Sequence, residues 1–270
     1  MTDRILQIRN MKKKIQNIAV VIFMICMIFA SYKIYRINRD YNKSNQSYSE
    51  LEQFVEMPES KHIENEDTEE TTTAKVTETI LFPTVNFDDL SVINSDIVGW
   101  LYFDNTTINY PIVQGEDNSY YLKHLFDKNY SSSGCIFLDC NNSFDFSDYN
   151  NVIYGHHMKN GTMFSSLTEY KNQDYYDAHP QAILVTPNQN YIIDIFAGYV
   201  ASTNDNAWQI TFETDNEFIE WIADIQERSC FASNVKPVTT DRIITFSTCS
   251  YEFDNARFIL HGILKSKRQN

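Results

Sequence analysis

Beyond Leu81 the chain breaks into short apolar runs separated by Asn, Asp, Gly and Pro. The runs at residues 99–103, 106–113, 135–139, 151–154, 182–186, 191–200, 243–248 and 257–264 are rich in Ile, Val, Phe and Tyr, and predict eight mostly short strands. Such a set favours a closed barrel or a sandwich. Helical spacing interrupts it. The clearest case is 215–228, where Thr214 and Glu217 form a Thr-x-x-Glu capping box and Phe218, Trp221, Ile222 and Ile225 recur on one face. Further helices are expected at 88–96, 119–126 and 162–170. Since every proposed strand lies beyond Leu81, residues 81–270 are expected to fold without what precedes them.

The preceding segment has another texture. Lys12, Lys13 and Lys14 stand before a continuous apolar run at 18–30, extended by Ile15, Tyr32 and Tyr35. A tilted helix needs ~20 such residues to cross a bilayer, so residues 15–35 are read as a single membrane anchor. Positive charge ahead of the run places residues 1–14 in the cytoplasm and everything after it outside. A cleaved signal peptide is the alternative, with small residues at Ala30 and Ser31 but no clear A-x-A site. Either way the rest of the chain is exported. Residues 36–80 are polar and acidic and read as an extracellular stalk, helical near Leu51 and disordered through the Glu/Thr run.

The formal charge of −14 is concentrated beyond this point, since residues 81–270 hold 11 basic and 24 acidic side chains. Phosphate contacts need clustered Lys and Arg, so nucleic acid is excluded as a partner. No Gly-rich phosphate loop is present, and no cofactor is expected.

Five cysteines in an exported chain suggest disulfides, but Cys26 falls in the anchor. Cys135 and Cys140 would lie roughly 16 Å apart on one strand, against the ~7 Å limit between bonded Cα atoms. They are read as small core residues. Cys230 ends a helix, and nothing in the sequence aims it at Cys249, so Cys249 is taken as a free thiol at the end of a strand. A thiol with its ordinary pKa of roughly 8.5 becomes a nucleophile only with a group that accepts its proton. Of six histidines, His62 is in the stalk, His124 and His179 lie in or beside helical segments, and His261 is inside the last strand. His156 and His157 remain, just past a strand ending at Tyr154, where Gly155 permits a sharp turn. His156 is expected to face a groove, with His157 pointing away or packing beside it.

If the strands ending at Tyr154 and Thr248 are neighbours, His156 and Cys249 meet. Arg257 opens the next strand and would stand opposite the thiol. Thiolate, imidazolium and guanidinium then supply a nucleophile, an acid for the leaving amine and a clamp for the developing oxyanion. Taken alone, Arg257 fits a surface ion pair with Glu252 or Asp254 slightly better than a catalytic role.

Two motifs add to this. TFSTCSYEFDNAR resembles the sortase signature, a Thr-Leu-x-Thr-Cys strand end followed by an Arg on the next strand, with Phe246 in the Leu position. YGHHMKNGTMF and DNSYYL at 117–122 resemble segments of class B sortases. The resemblance implies a mainly β fold, an eight-stranded sortase-type barrel with several peripheral helices spanning 81–270, preceded by one N-terminal transmembrane helix. It further implies a cysteine transpeptidase that cleaves secreted proteins after a Thr in a C-terminal sorting signal of the Asn-Pro-x-Thr kind. The acyl fragment is held as a thioester on Cys249 and passed to an amine of the peptidoglycan precursor or cross-bridge. By motif position Cys249 is the nucleophile, His156 the general acid/base and Arg257 the substrate or oxyanion clamp. Tyr154, Ser247, Asn118 and Leu122 match substrate-groove positions. No metal dependence is expected.

Three other classes share some of these features. A papain-like peptidase places its Cys first in the chain on a helix N-terminus, whereas here His156 precedes a strand-end Cys249. A zinc site could draw on Cys135, Cys140, His156 and His157, but C-x4-C on a strand turns the two thiols to opposite faces. A non-catalytic adhesin or receptor ectodomain would share the anchor, stalk and β-rich domain, and would survive loss of Cys249.

Overall fold

The computed structural model describes residues 2–58 and 81–267, so the acidic Glu/Thr run of the expected stalk lies outside the described residues. The chain divides into two compact units, residues 1–46 and 47–270. Most of the first is helix α1, Thr2–Leu51, which continues into the second unit. α1 is long and apolar enough to cross a membrane by length and composition. Residues 11–39 are all exposed.

In the second unit a closed barrel forms from eight strands: β3 (Ile97–Tyr102), β4 (Asn109–Val113), β5 (Ile136–Leu138), β6 (Asn150–Tyr154), β7 (Gln181–Val185), β8 (Asn190–Ser202), β9 (Arg242–Cys249) and β10 (Ala256–Lys267). All eight overlap the apolar runs identified above. The order around the barrel is β10-β8-β7-β3-β4-β5-β6-β9. β4–β5 and β6–β9 pair in parallel and the other neighbours antiparallel. Closure removes exposed sheet edges, and Trp100, Ile112, Leu138, Ile153, Phe246 and Leu260 are fully buried.

Helix α4 (Asp215–Glu227) begins as its sequence requires, with Glu217 N donating to Thr214 Oγ1 at 3.2 Å, and buries Phe218, Trp221, Ile222 and Ile225. The Glu217 carboxylate accepts from Glu213 N rather than Thr214 N, so the reciprocal half of the box falls one residue early. Two other helices depart from expectation. At 119–126 only a 3-10 turn, Tyr120–Leu122, forms, because the next carbonyls are committed elsewhere: Tyr121 O to Cys135 N, Lys123 O to Ser131 N and Leu122 O to His156. At 162–170 the chain makes a 3-10 segment, Ser165–Lys171, followed by α3 (Gln173–Ala178), which Asn172 caps. The helix expected at 88–96 is α2, Phe87–Ile93.

The boundary at 81 also moves. Strand β1 (Val55–Glu56) pairs with β2 (Thr84–Val85). Tyr48 and Leu51, both in the expected stalk, are buried, and Tyr48 Oη donates to Gly134 O at 2.5 Å. The folded unit therefore includes the segment from Ser47, where the amphipathic pattern is too brief to be read. Burying a large apolar side chain contributes about 1.5–3 kcal/mol, so a fragment starting at Leu81 should melt on the order of 10 °C below one starting at Ser47. Equal melting temperatures in a calorimetric scan would show that these contacts contribute nothing.

Candidate active site

The parallel pairing of β6 with β9 sets Tyr154 opposite Ser247, and Gly155 N continues the ladder to Ser247 O at 3.2 Å. His156 and Cys249 each follow two residues beyond that matched pair. On the other side of β9, Arg257 is the register partner of Cys249 in β10. Three adjacent strand ends thus carry the imidazole, the thiol and the guanidinium. A buried relay ties the same strands together deeper in the barrel: Thr245 Oγ1 on β9 donates to Asn150 Oδ1 on β6 at 2.6 Å and lies 2.8 Å from His261 Nδ1 on β10. Burial pushes the His261 imidazole down to about 3, so it is neutral there.

Gly155 is needed for space, not for a left-handed turn. A Cβ there would lie 2.5 Å from Ile136 Cδ1 and 2.6 Å from Phe164 Cδ2. Phe246, which stands where the sortase signature has Leu, is fully buried with its ring edge-on to Phe103 and Phe164. The extra ring volume is absorbed by this aromatic cluster.

His156 Nε2 lies 2.8 Å from Leu122 O. A carbonyl only accepts, so Nε2 carries a proton, and Nδ1 is the nitrogen able to take up or release one. The carbonyl that ends the 3-10 turn therefore sets the tautomer. His157 packs against the loop that follows the nucleophile, its ring edge-on to Tyr251 at 5.3 Å. Its Nδ1 is buried without a hydrogen-bond partner. Burial, and then repulsion from Lys171, hold its pKa below the usual histidine value.

Arg257 forms no ion pair among the described residues, and its Nη1 donates to Ala256 O at 3.0 Å. Glu252, one of the two surface partners considered for it, pairs with Lys171 instead. All five cysteines are free. Burial pushes the Cys135 thiol up to about 12, and raises Cys140 and Cys230, which makes each a poorer nucleophile at neutral pH.

Three of the four expected groove side chains, those of Tyr154, Asn118 and Ser247, are held by polar partners, two of which sequence reasoning did not find. Asp139, 5% exposed at the end of β5, accepts from Tyr154 Oη at 2.8 Å and Asn118 Nδ2 at 2.9 Å. Its second oxygen takes Asn141 N and Nδ2. Asn118 Oδ1 in turn accepts from Cys140 N. Trp208, in the loop before α4, donates from Nε1 to Ser247 Oγ at 3.1 Å. An Asp closing an apolar strand was the available signal for the first. A lone Trp in a polar loop offered none for the second.

Residues 101–265 match the Sortase domain family. The chain is 39% identical over 181 residues to a protein named Sortase B from Listeria monocytogenes, covering 66% of this chain and 74% of that one. The solved Staphylococcus aureus sortase B–substrate complex superposes with a TM-score of 0.64 at 31% identity, over 67% of this chain and 84% of that one. A sortase B structure complexed with triglycine gives 0.64 at 32% identity, over 67% and 85%. Strand-end thiol, imidazole and guanidinium, closed eight-stranded barrel and these similarities agree: the chain belongs to the sortase family of cysteine transpeptidases, within class B.

Proposed function

We propose that this chain is a membrane-anchored transpeptidase that cleaves a sorting signal of the Asn-Pro-x-Thr kind after its Thr and joins the acyl fragment to a cell-wall amine. The Cys249 thiolate attacks the Thr carbonyl carbon. The tetrahedral oxyanion is held by the Arg257 guanidinium, and the C–N bond breaks as His156 gives its proton to the departing amine. The result is a thioester on Cys249. An incoming amine then attacks the same carbon, passes a proton to His156 and displaces the sulfur. Tyr154, Ser247, Asn118 and Leu122 line the peptide groove, and α1 crosses the membrane with residues 1–14 in the cytoplasm and the barrel outside.

The observation that carries this is the shared register of β6, β9 and β10, which puts His156, Cys249 and Arg257 at one end of one sheet. The related structures solved with a substrate and with triglycine support a peptide donor and an amine acceptor as the two reactants. The test is incubation of the full chain in detergent with fluorogenic Asn-Pro-x-Thr peptides, scrambled controls and triglycine. Cleavage after Thr together with a Thr–Gly ligation product is expected. Cleavage that ignores the Thr, or that never yields the ligated product, would overturn it.

A further inference from the structure

The loop that follows the nucleophile is fastened to the segment that carries His156. It closes on itself through Ser250 N to Ala256 O at 2.9 Å and Ala256 N to Phe253 O at 3.2 Å. Its side chains then reach outward. Ser250 Oγ donates to Glu252 Oε2 at 2.5 Å, and Lys171 Nζ donates to Glu252 Oε1 and, at 3.2 Å, to Ser250 Oγ. Lys171 also lies over the Phe258 ring, one residue past Arg257. It ends the 3-10 segment Ser165–Lys171, whose N-cap Phe164 donates its N–H to His156 O at 2.9 Å. A second contact, of the His157 ring with Tyr251 of this loop at 5.3 Å, joins the same two segments.

We infer that Lys171 is a positioning residue for the transpeptidation reaction, acting through Glu252 and Ser250 to hold Cys249 and Arg257 in register with His156. The inference rests on the function proposed above. Energetics favour positioning over stabilisation. The Lys171 and Glu252 side chains are 35% and 41% exposed, and ion pairs so open to solvent contribute little to stability. Misplacing a reacting group by about 1 Å, by contrast, can cost ~10²-fold in rate. The groove residues Tyr154 and Asn118 hang from Asp139 rather than from this loop, so peptide binding should be spared.

The variants are Lys171→Met, Lys171→Arg, Glu252→Gln and the exchange Lys171→Glu/Glu252→Lys, made in the full chain in detergent. Peptide cleavage is read alongside melting and deuterium uptake by residues 249–257, with α4 as the control. Lys171→Met should lower kcat about tenfold with KM within about twofold and melting nearly unchanged, Arg should recover most of the loss, and the exchange should recover part of it. Uptake over 249–257 should rise while α4 stays protected. Glu252→Gln separates positioning from charge: a loosened loop slows turnover, whereas a direct effect of local charge on the thiol would speed it. Wild-type kcat in Lys171→Met, or faster turnover in Glu252→Gln, overturns the inference while leaving the proposed function intact. A wild type that cleaves no sorting peptide sinks that function instead, and uptake over 249–257 in Lys171→Met then decides whether the clamp exists.

Discussion

Cys249→Ala should abolish sorting-peptide cleavage to background while shifting the melting temperature by no more than about 2 °C. The side chain is half-buried at a strand end, so its loss removes a nucleophile and little core volume. Cys135→Ala should do the reverse. That thiol is 1% exposed inside the barrel domain, and its removal leaves a small cavity that lowers the melting temperature while the rate per folded molecule persists. The pair of measurements separates catalytic loss from structural loss. Full cleavage activity in Cys249→Ala would show that Cys249 is not the nucleophile.

The second large effect concerns the two adjacent histidines. His156→Ala should lower kcat/KM by ~10²–10⁴-fold, the usual cost of a positioned general acid/base. Its ring is held by Leu122 O with the proton on Nε2, so the catalytic proton moves through Nδ1. His157→Ala should cost less, about tenfold, because His157 packs on Tyr251 in the loop after Cys249 and not on a substrate atom. Arg257→Ala should be severe, with partial recovery in Arg257→Lys if charge outweighs the planar fork. These rates are measured on the same fluorogenic peptide, with melts as controls. A dead His157→Ala beside an active His156→Ala would mean that the imidazole roles are reversed.

Most of the barrel was legible because its strands are apolar runs punctuated by Asn, Asp, Gly and Pro. The runs at 243–248 and 257–264 lie inside β9 and β10 as built. What escaped notice was short. β1 and β2 are two residues each, and α3 is six. The failed helix at 119–126 shows a different limit: its residues suit a helix, but distant donors, His156 among them, claim its carbonyls. The juxtaposition of Cys249 and Arg257 could be read from a short loop between two strands. That of His156 and Cys249 required knowing that β6 and β9 are parallel neighbours, although the Asn150 and Thr245 side chains that bond across them are 95 residues apart in the chain. Asp139 and Lys171 escaped for the same reason, since each gains its meaning from partners brought together only by closure of the barrel.

A thioester on Cys249 is the obligate intermediate of the proposed reaction. Intact-mass measurement of the full chain, mixed with a sorting peptide in the absence of added amine and quenched in acid, tests it directly. The expected result is an adduct equal to the peptide up to its Thr, located on Cys249 after digestion, absent from Cys249→Ala and discharged on adding triglycine. Cleavage that proceeds at the wild-type rate with no adduct at any time, or an adduct that persists in Cys249→Ala, would contradict it.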